Sequence, residues 1–224
     1  MSRFRYSILP RICLIFSILV LLSGLWVLWL SLGRPMPTIA LACRQAETAS
    51  LLPHGRTAAR GSIRYQVTTW RPEAWLARRY GDDVRVYSFS RVYGVFWEEP
   101  WLEFYAPDSD FVAFPADATL ISISERSYAV TPMAVCDLPD AARLEADVIW
   151  LGDWEDDPAA AVAERGVTAE LTHAGDCIWA GPALFVPDAP KPEGLTSSSS
   201  TLYLFCRAYD AEGNLLAVYD PTAG

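Results

Sequence analysis

The chain has 224 residues, of which 52% are hydrophobic and 20% charged, with a net charge of −9. That balance excludes a disordered polyelectrolyte and supports a sizeable core over about 190 residues beyond a membrane segment, as one domain or two tightly joined subdomains. Charge is divided along the chain: residues 34–91 carry ten arginines against four acidic residues, a net +6, and residues 92–224 carry five basic against 23 acidic ones, a net −18. The acidic stretch repels phosphate backbones, and the sequence has no phosphate loop, dinucleotide fingerprint or nucleic-acid-binding motif, so no nucleic acid is expected as a partner.

Cys13–Gly33 contains no charged residue and is preceded by Arg3, Arg5 and Arg11. A helix rising about 1.5 Å per residue over this length crosses a hydrocarbon core of about 30 Å. Arginines without acids on the N-terminal flank favour a cytoplasmic N-terminus, and Trp26 and Trp29 suit an interfacial aromatic belt. The expectation is a single-pass protein of the bacterial inner membrane: residues 1–12 a cytoplasmic tail, 13–33 the anchor, and the C-terminal part periplasmic. Ala40-Leu41-Ala42 before Cys43 is a cleavage-like or lipid-attachment pattern, but Arg34, Pro35 and Pro37 separate it from the apolar run, so an uncleaved anchor is favoured.

Residues 34–60, with Pro35, Pro37 and Pro53, read as a membrane-proximal linker, and 61–224 as the extracytoplasmic domain. Alternating β-branched and aromatic residues predict a strand over Ser62–Trp70, and Pro72–Tyr80 reads as a short helix closed by Gly81. Strands follow at Val84–Trp97, Trp101–Tyr105, Phe111–Phe114 and Leu120–Ser124. Pro139–Ala146 reads as a second short helix leading into a strand at Asp147–Leu151, and Asp157-Pro158 opens a third that Gly166 ends. Val167–Thr172, Cys177–Trp179 and Ala183–Val186 are further strands; Leu202–Asp210 and Leu215–Asp220 flank a hairpin turn with Gly213 at a positive-φ position. The fold class is therefore α+β, mainly antiparallel β-sheet with a few short helices, behind one N-terminal transmembrane helix.

Cys13 lies in the anchor, leaving Cys43, Cys136, Cys177 and Cys206, an even number in an oxidising compartment. Two disulfides are expected, with Cys177–Cys206 and Cys43–Cys136 favoured over the other pairings. No C-x-x-C occurs, so neither a redox motif nor a zinc ribbon is indicated, and no cofactor is expected. His173, Asp176 and Cys177 lie within five residues, but an oxidised Cys177 beside a turn outweighs a nucleophile there. Asp153, Glu155, Asp157 and Glu164 match calcium-loop positions 1, 3, 5 and 12, yet Pro158 stands where that loop needs glycine, so helix capping is the preferred role and no metal is expected.

Glu99, Trp101 and Glu103 share one face if extended, and with Trp154 they are the binding candidates. Two carboxylates about a tryptophan suit either an acidic edge strand facing a basic protein or a sugar ring between paired acids. The favoured function is a non-catalytic, membrane-anchored protein-binding domain, an immunity-type inhibitor or an accessory subunit of an envelope complex, whose partner has a basic surface. The alternative is a small glycan-binding protein or glycoside hydrolase using Glu99 and Glu103.

Overall fold

The computed structural model describes residues 8–31, 34–62, 74–92, 94–98, 100–106, 110–122, 127–190 and 199–222. Helix α1 (Ile8–Ser31) contains the apolar stretch Pro10–Ser31, which is long and apolar enough to cross a membrane and is not covered by the rest of the chain. The backbone turns at Arg34 (φ 56°), Met36 bridges to Trp97, and α2 (Ile39–Ala49) begins at Thr38, whose hydroxyl accepts the Leu41 N–H. The remainder is β1 (Arg56–Ser62), β2 (Ala74–Tyr80), β3 (Asp83–Phe89), β4 (Arg91–Val92), β5 (Phe96–Trp97), β6 (Trp101–Ala106), β7 (Phe111–Ser122), β8 (Ser127–Cys136), β9 (Arg143–Gly152), α3 (Pro158–Arg165), β10 (Val167–Gly175), β11 (Ile178–Ala180), β12 (Leu184–Pro187), β13 (Ser200–Tyr209) and β14 (Leu215–Tyr219). The class is α+β with antiparallel sheets.

Two sheets carry the fold. One has four strands in the order β1-β2-β3-β6; the other runs β12-β8-β11-β10-β9-β13-β14, with β7 on the other side of β8. Trp75, Ala77, Val84 and Val86 of the four-stranded sheet bury against Phe114, Met133, Val135 and Ile178 of the larger one. Phe104 stacks on Phe114 across the same seam, with centroids 3.8 Å apart. A second cluster, built on Leu144, Ala146, Val148, Leu204 and Cys206, fills the larger sheet's own interior. The charge division of the sequence follows this architecture: most of the basic stretch lies in α2 and the smaller sheet, and the larger sheet is wholly within the acidic stretch.

Several expected elements differ. Pro72–Tyr80 is not a helix: from Ala74 onward it is strand β2. Ala, Leu and Arg are good helix formers, but both faces of this segment are covered. Trp75 and Ala77 point to the larger sheet, whereas Leu76 packs beneath α2 and Arg78 reaches Glu47, an alternation only a strand provides. Pro139–Ala146 is a turn followed by β9, which starts at Arg143 because Leu144, Ala146 and Val148 alternate into the core. The region read as a linker, 34–60, contains α2 and most of β1. The strand expected over 62–70 lies, after Ser62, outside the described residues.

β8 had no counterpart in the sequence reading, because Pro132 sits in its middle. It fits there because Pro132 faces Pro115 on one side, while on the other side β8 changes neighbour from β12 to β11. Gly181 N–H closes that gap by donating to the Pro132 carbonyl at 2.8 Å. The helix opened by Asp157-Pro158 is present as α3, and the β13–β14 hairpin turns at Gly213 with φ 88°.

The expected disulfides are absent: Cys43, Cys136, Cys177 and Cys206 are unpaired and buried. Cys177 immediately precedes β11 and Cys206 lies on β13, three strand positions away in the sheet order, or about 14 Å, roughly twice the reach of a disulfide. Cys43 lies under α2 on the outer side of the small sheet, and Cys136 lies in the core of the large one. Burial raises all four thiols, Cys43 to about 11 and Cys206 to about 12, so they resist thiolate chemistry. Denatured without reductant, the protein is expected to label at all five cysteines; folded, its four domain thiols are expected to resist labelling at pH 8. A denatured count reduced by two or more would contradict this.

Candidate functional site

The binding candidates from the sequence do not converge. Glu99 lies outside the described residues, while Trp101 and Glu103 fall in β6, at the edge of the four-stranded sheet. Trp154 lies in the turn that follows β9 of the other sheet, where its indole covers Gly152 and leaves no room for a Cβ there. Three of the four acids of the calcium-like spacing are held by protein donors, and the fourth, Glu164, is exposed on α3. Asp157 caps α3 through Ala160 N–H at 3.0 Å, Glu155 pairs with Arg165 and accepts Gly152 N–H, and Asp153 accepts from Ser199.

The His173 turn opens on a cavity of about 410 Å³ bordered by Cys136, Asp137, Asp176 and Trp179. His173 Nε2 bonds the Asp176 carbonyl and its ring meets Trp179 edge-on. Both carboxylates are already engaged: Asp176 by Arg56 at 2.7 Å and by Arg79, Asp137 by Arg79 at 3.1 Å. Cys177 is turned into the inter-sheet core, where its sulfur accepts from Arg79 at 3.8 Å. Thiol, imidazole and carboxylate therefore do not form a catalytic line.

A buried polar centre that the sequence reading missed sits where α2 meets the small sheet. Glu47, with 0% of its surface exposed, receives Arg78 in bidentate fashion, Nε to Oε1 at 2.9 Å and Nη2 to Oε2 at 3.2 Å. Tyr80 hydroxyl donates to Oε1 at 2.6 Å, Gly55 N–H approaches the same oxygen at 3.3 Å, and His54 Nδ1 lies 3.1 Å from Oε2. Arg78 also donates to Thr57, and Tyr80 contacts the Tyr87 hydroxyl. Burial alone would raise the Glu47 carboxyl, but hydrogen bonds from Arg78, Tyr80 and His54 with the Arg78 charge outweigh it and hold the group below its ordinary range. A carboxylate surrounded by donors and closed to water is a structural anchor and has no acceptor left for a substrate proton. The sequence carried a signal for this centre, Glu47 as the single acidic residue among residues 34–72, that a linker assignment hid.

The third feature is a groove of about 350 Å³ on the outer face of the large sheet, between α3 and β14. Phe205, Val218, Val162 and Pro158 give it apolar walls, and Asp147, Asp157 and Asp220 line it with carboxylates. Arg207 is the cation of the lining, and it is committed to Asp147 at 2.7 Å, which also accepts Thr168 Oγ1 at 2.6 Å. The remaining two carboxylates, Asp157 and Asp220, give the groove its negative balance. Comparison with protein-family models, curated proteins and solved structures gives no match.

Glu47 contributes stability fully above its unfolded pKa of about 4.5, and that contribution is lost as pH falls through the lower folded value. Glu47→Gln, which strands Arg78 without a charged partner, is expected to lower the unfolding free energy at pH 7 by about 3–5 kcal/mol. The variant should also lose less stability than the wild type as pH falls below about 4.5 in denaturant titrations, by the share that Glu47 supplies. Equal stability of the two proteins at neutral pH would contradict the role given to Glu47.

Proposed function

We propose that this chain is a single-pass bacterial inner-membrane protein with a cytoplasmic N-terminus, and that its periplasmic domain binds another protein as an immunity-type inhibitor or accessory subunit. Arg3, Arg5 and Arg11 before an uncharged helix support the orientation. The observation that carries the binding reading is the α3–β14 groove: a cleft with apolar walls whose Asp157 and Asp220 make no ion pair among the described residues, on the sheet built from the acidic part of the chain. Such a surface selects a partner by electrostatic complementarity and holds it by apolar burial. The basic small sheet and α2 follow the anchor directly, so the acidic sheet is the part of the domain furthest along the chain from the membrane.

The test is crosslinking in intact envelopes with the full-length chain and with Asp157→Asn/Asp220→Asn, which keeps a capping side chain on α3. A stoichiometric partner with a basic exposed surface is expected, with recovery reduced about tenfold by the double substitution and by about 0.5 M salt. Undiminished recovery under both conditions would contradict the reading.

A further inference from the structure

We propose that β14 is a docking edge, on which an extended, basic segment of a partner protein adds as a further strand of the large sheet. This rests on the protein-binding reading above and names the site and the form of the ligand.

Sheet edges in folded proteins are usually blunted by charge, proline or bulges, because their unpaired N–H and C=O groups recruit other strands. Two other edges here follow that rule. β1 carries Arg56 and Arg60 and a bulge between Thr57 and Ala59, and β12 is four residues ending in Pro187. β14 differs. Among the described residues it is paired only with β13, its sequence LLAVY has neither charge nor proline, and Leu215, Leu216 and Val218 are 54%, 41% and 56% exposed. One irregularity, at Leu216 beside the turn, leaves Ala217–Tyr219 in plain antiparallel register with β13.

The surroundings of the edge define the occupant. Ala217 and Tyr219 face the interior cluster, and Tyr219 packs edge-on to Phe111, so inward side chains of an added strand meet an apolar border. Val218 faces the opposite way, into the groove with Phe205. A lysine or arginine on that side would lay its aliphatic stem along Val218 and carry its charge to Asp220 and Asp157. Basic residues alternating with apolar ones satisfy both faces at the period of a strand. A second copy of this chain is a poor occupant: residues 210–222 contain no basic residue, and antiparallel pairing of two β14 strands would bring Asp220 of one towards Asp210 and Glu212 of the other.

The test uses the full chain in nanodiscs of neutral lipid and three capped decapeptides: alternating lysine and valine, the same peptide with alternate backbone amides N-methylated, and alternating glutamate and valine. Binding of the lysine–valine peptide is expected to slow hydrogen exchange at Leu215–Tyr219 about tenfold, and N-methylation to weaken binding about tenfold, because it removes ladder hydrogen bonds and leaves charge unchanged. Asp157→Asn/Asp220→Asn should weaken it by a similar factor. Charge-dependent binding with unaltered β14 exchange and no effect of N-methylation would overturn strand addition while leaving the acidic-face reading intact. No binding, or equal binding of the glutamate peptide, would overturn both. Self-association that protects β14 without peptide would overturn the choice of occupant.

Discussion

A carboxylate removed completely from water is tolerated only when donors and an opposite charge replace its hydration, and Glu47 has both in Arg78 and the Tyr80 hydroxyl. This requirement fixes more than one contact. Arg78 and Tyr80 must share a face of β2 beneath α2, and the strand's period then delivers Trp75, Ala77 and Arg79 to the opposite face. Trp75 and Ala77 form the inter-sheet core, while Arg79 bonds Asp137 and Asp176 of the large sheet. One buried pair therefore sets the registration of three layers: α2, the small sheet and the large sheet.

The consequence for function is geometric. α1 leads through Arg34 and the Met36–Trp97 bridge directly into α2, and α2 is fastened to the domain by Glu47. The described part of the domain begins at α2, only a few residues after the apolar N-terminal helix α1. Arginines of the basic small sheet meet aspartates of the acidic large sheet at the seam, where partial exposure keeps each pair worth at most about 1 kcal/mol. Those pairs neutralise the carboxylates of the His173 cavity, whereas Asp157 and Asp220 at the α3–β14 groove make no ion pair among the described residues.

Much of the architecture was legible from pattern alone. The long apolar N-terminal helix followed from an uncharged run, α3 from Asp157-Pro158, and the last hairpin from Gly213 between two alternating segments, because each is decided by local chemistry. The errors occurred where tertiary context decides. β2 has helix-favouring residues but two covered faces, β9 begins earlier than its charge pattern suggests, and β8 hides behind Pro132 at a change of neighbour. The cysteine count suggested two bridges, but strand order separates Cys177 from Cys206, and Cys43 lies on the opposite side of the small sheet from Cys136. The site was least legible: Glu47, Arg78 and Tyr80 are separated by 31 and 33 residues from one end of the centre to the other, and the groove joins α3 to β14 across a large part of the chain.

The most direct measurement is native-state hydrogen exchange of the membrane-inserted protein, resolved over α2 and β2 across a series of denaturant concentrations. If Glu47 locks the helix to the sheet, amides of Ala42–Glu47 exchange only through the opening that also releases Leu76–Arg78, with the same free energy and denaturant dependence. Rapid exchange of α2 while β2 stays protected would show that α2 moves independently of the sheet and that the buried pair does not organise the fold.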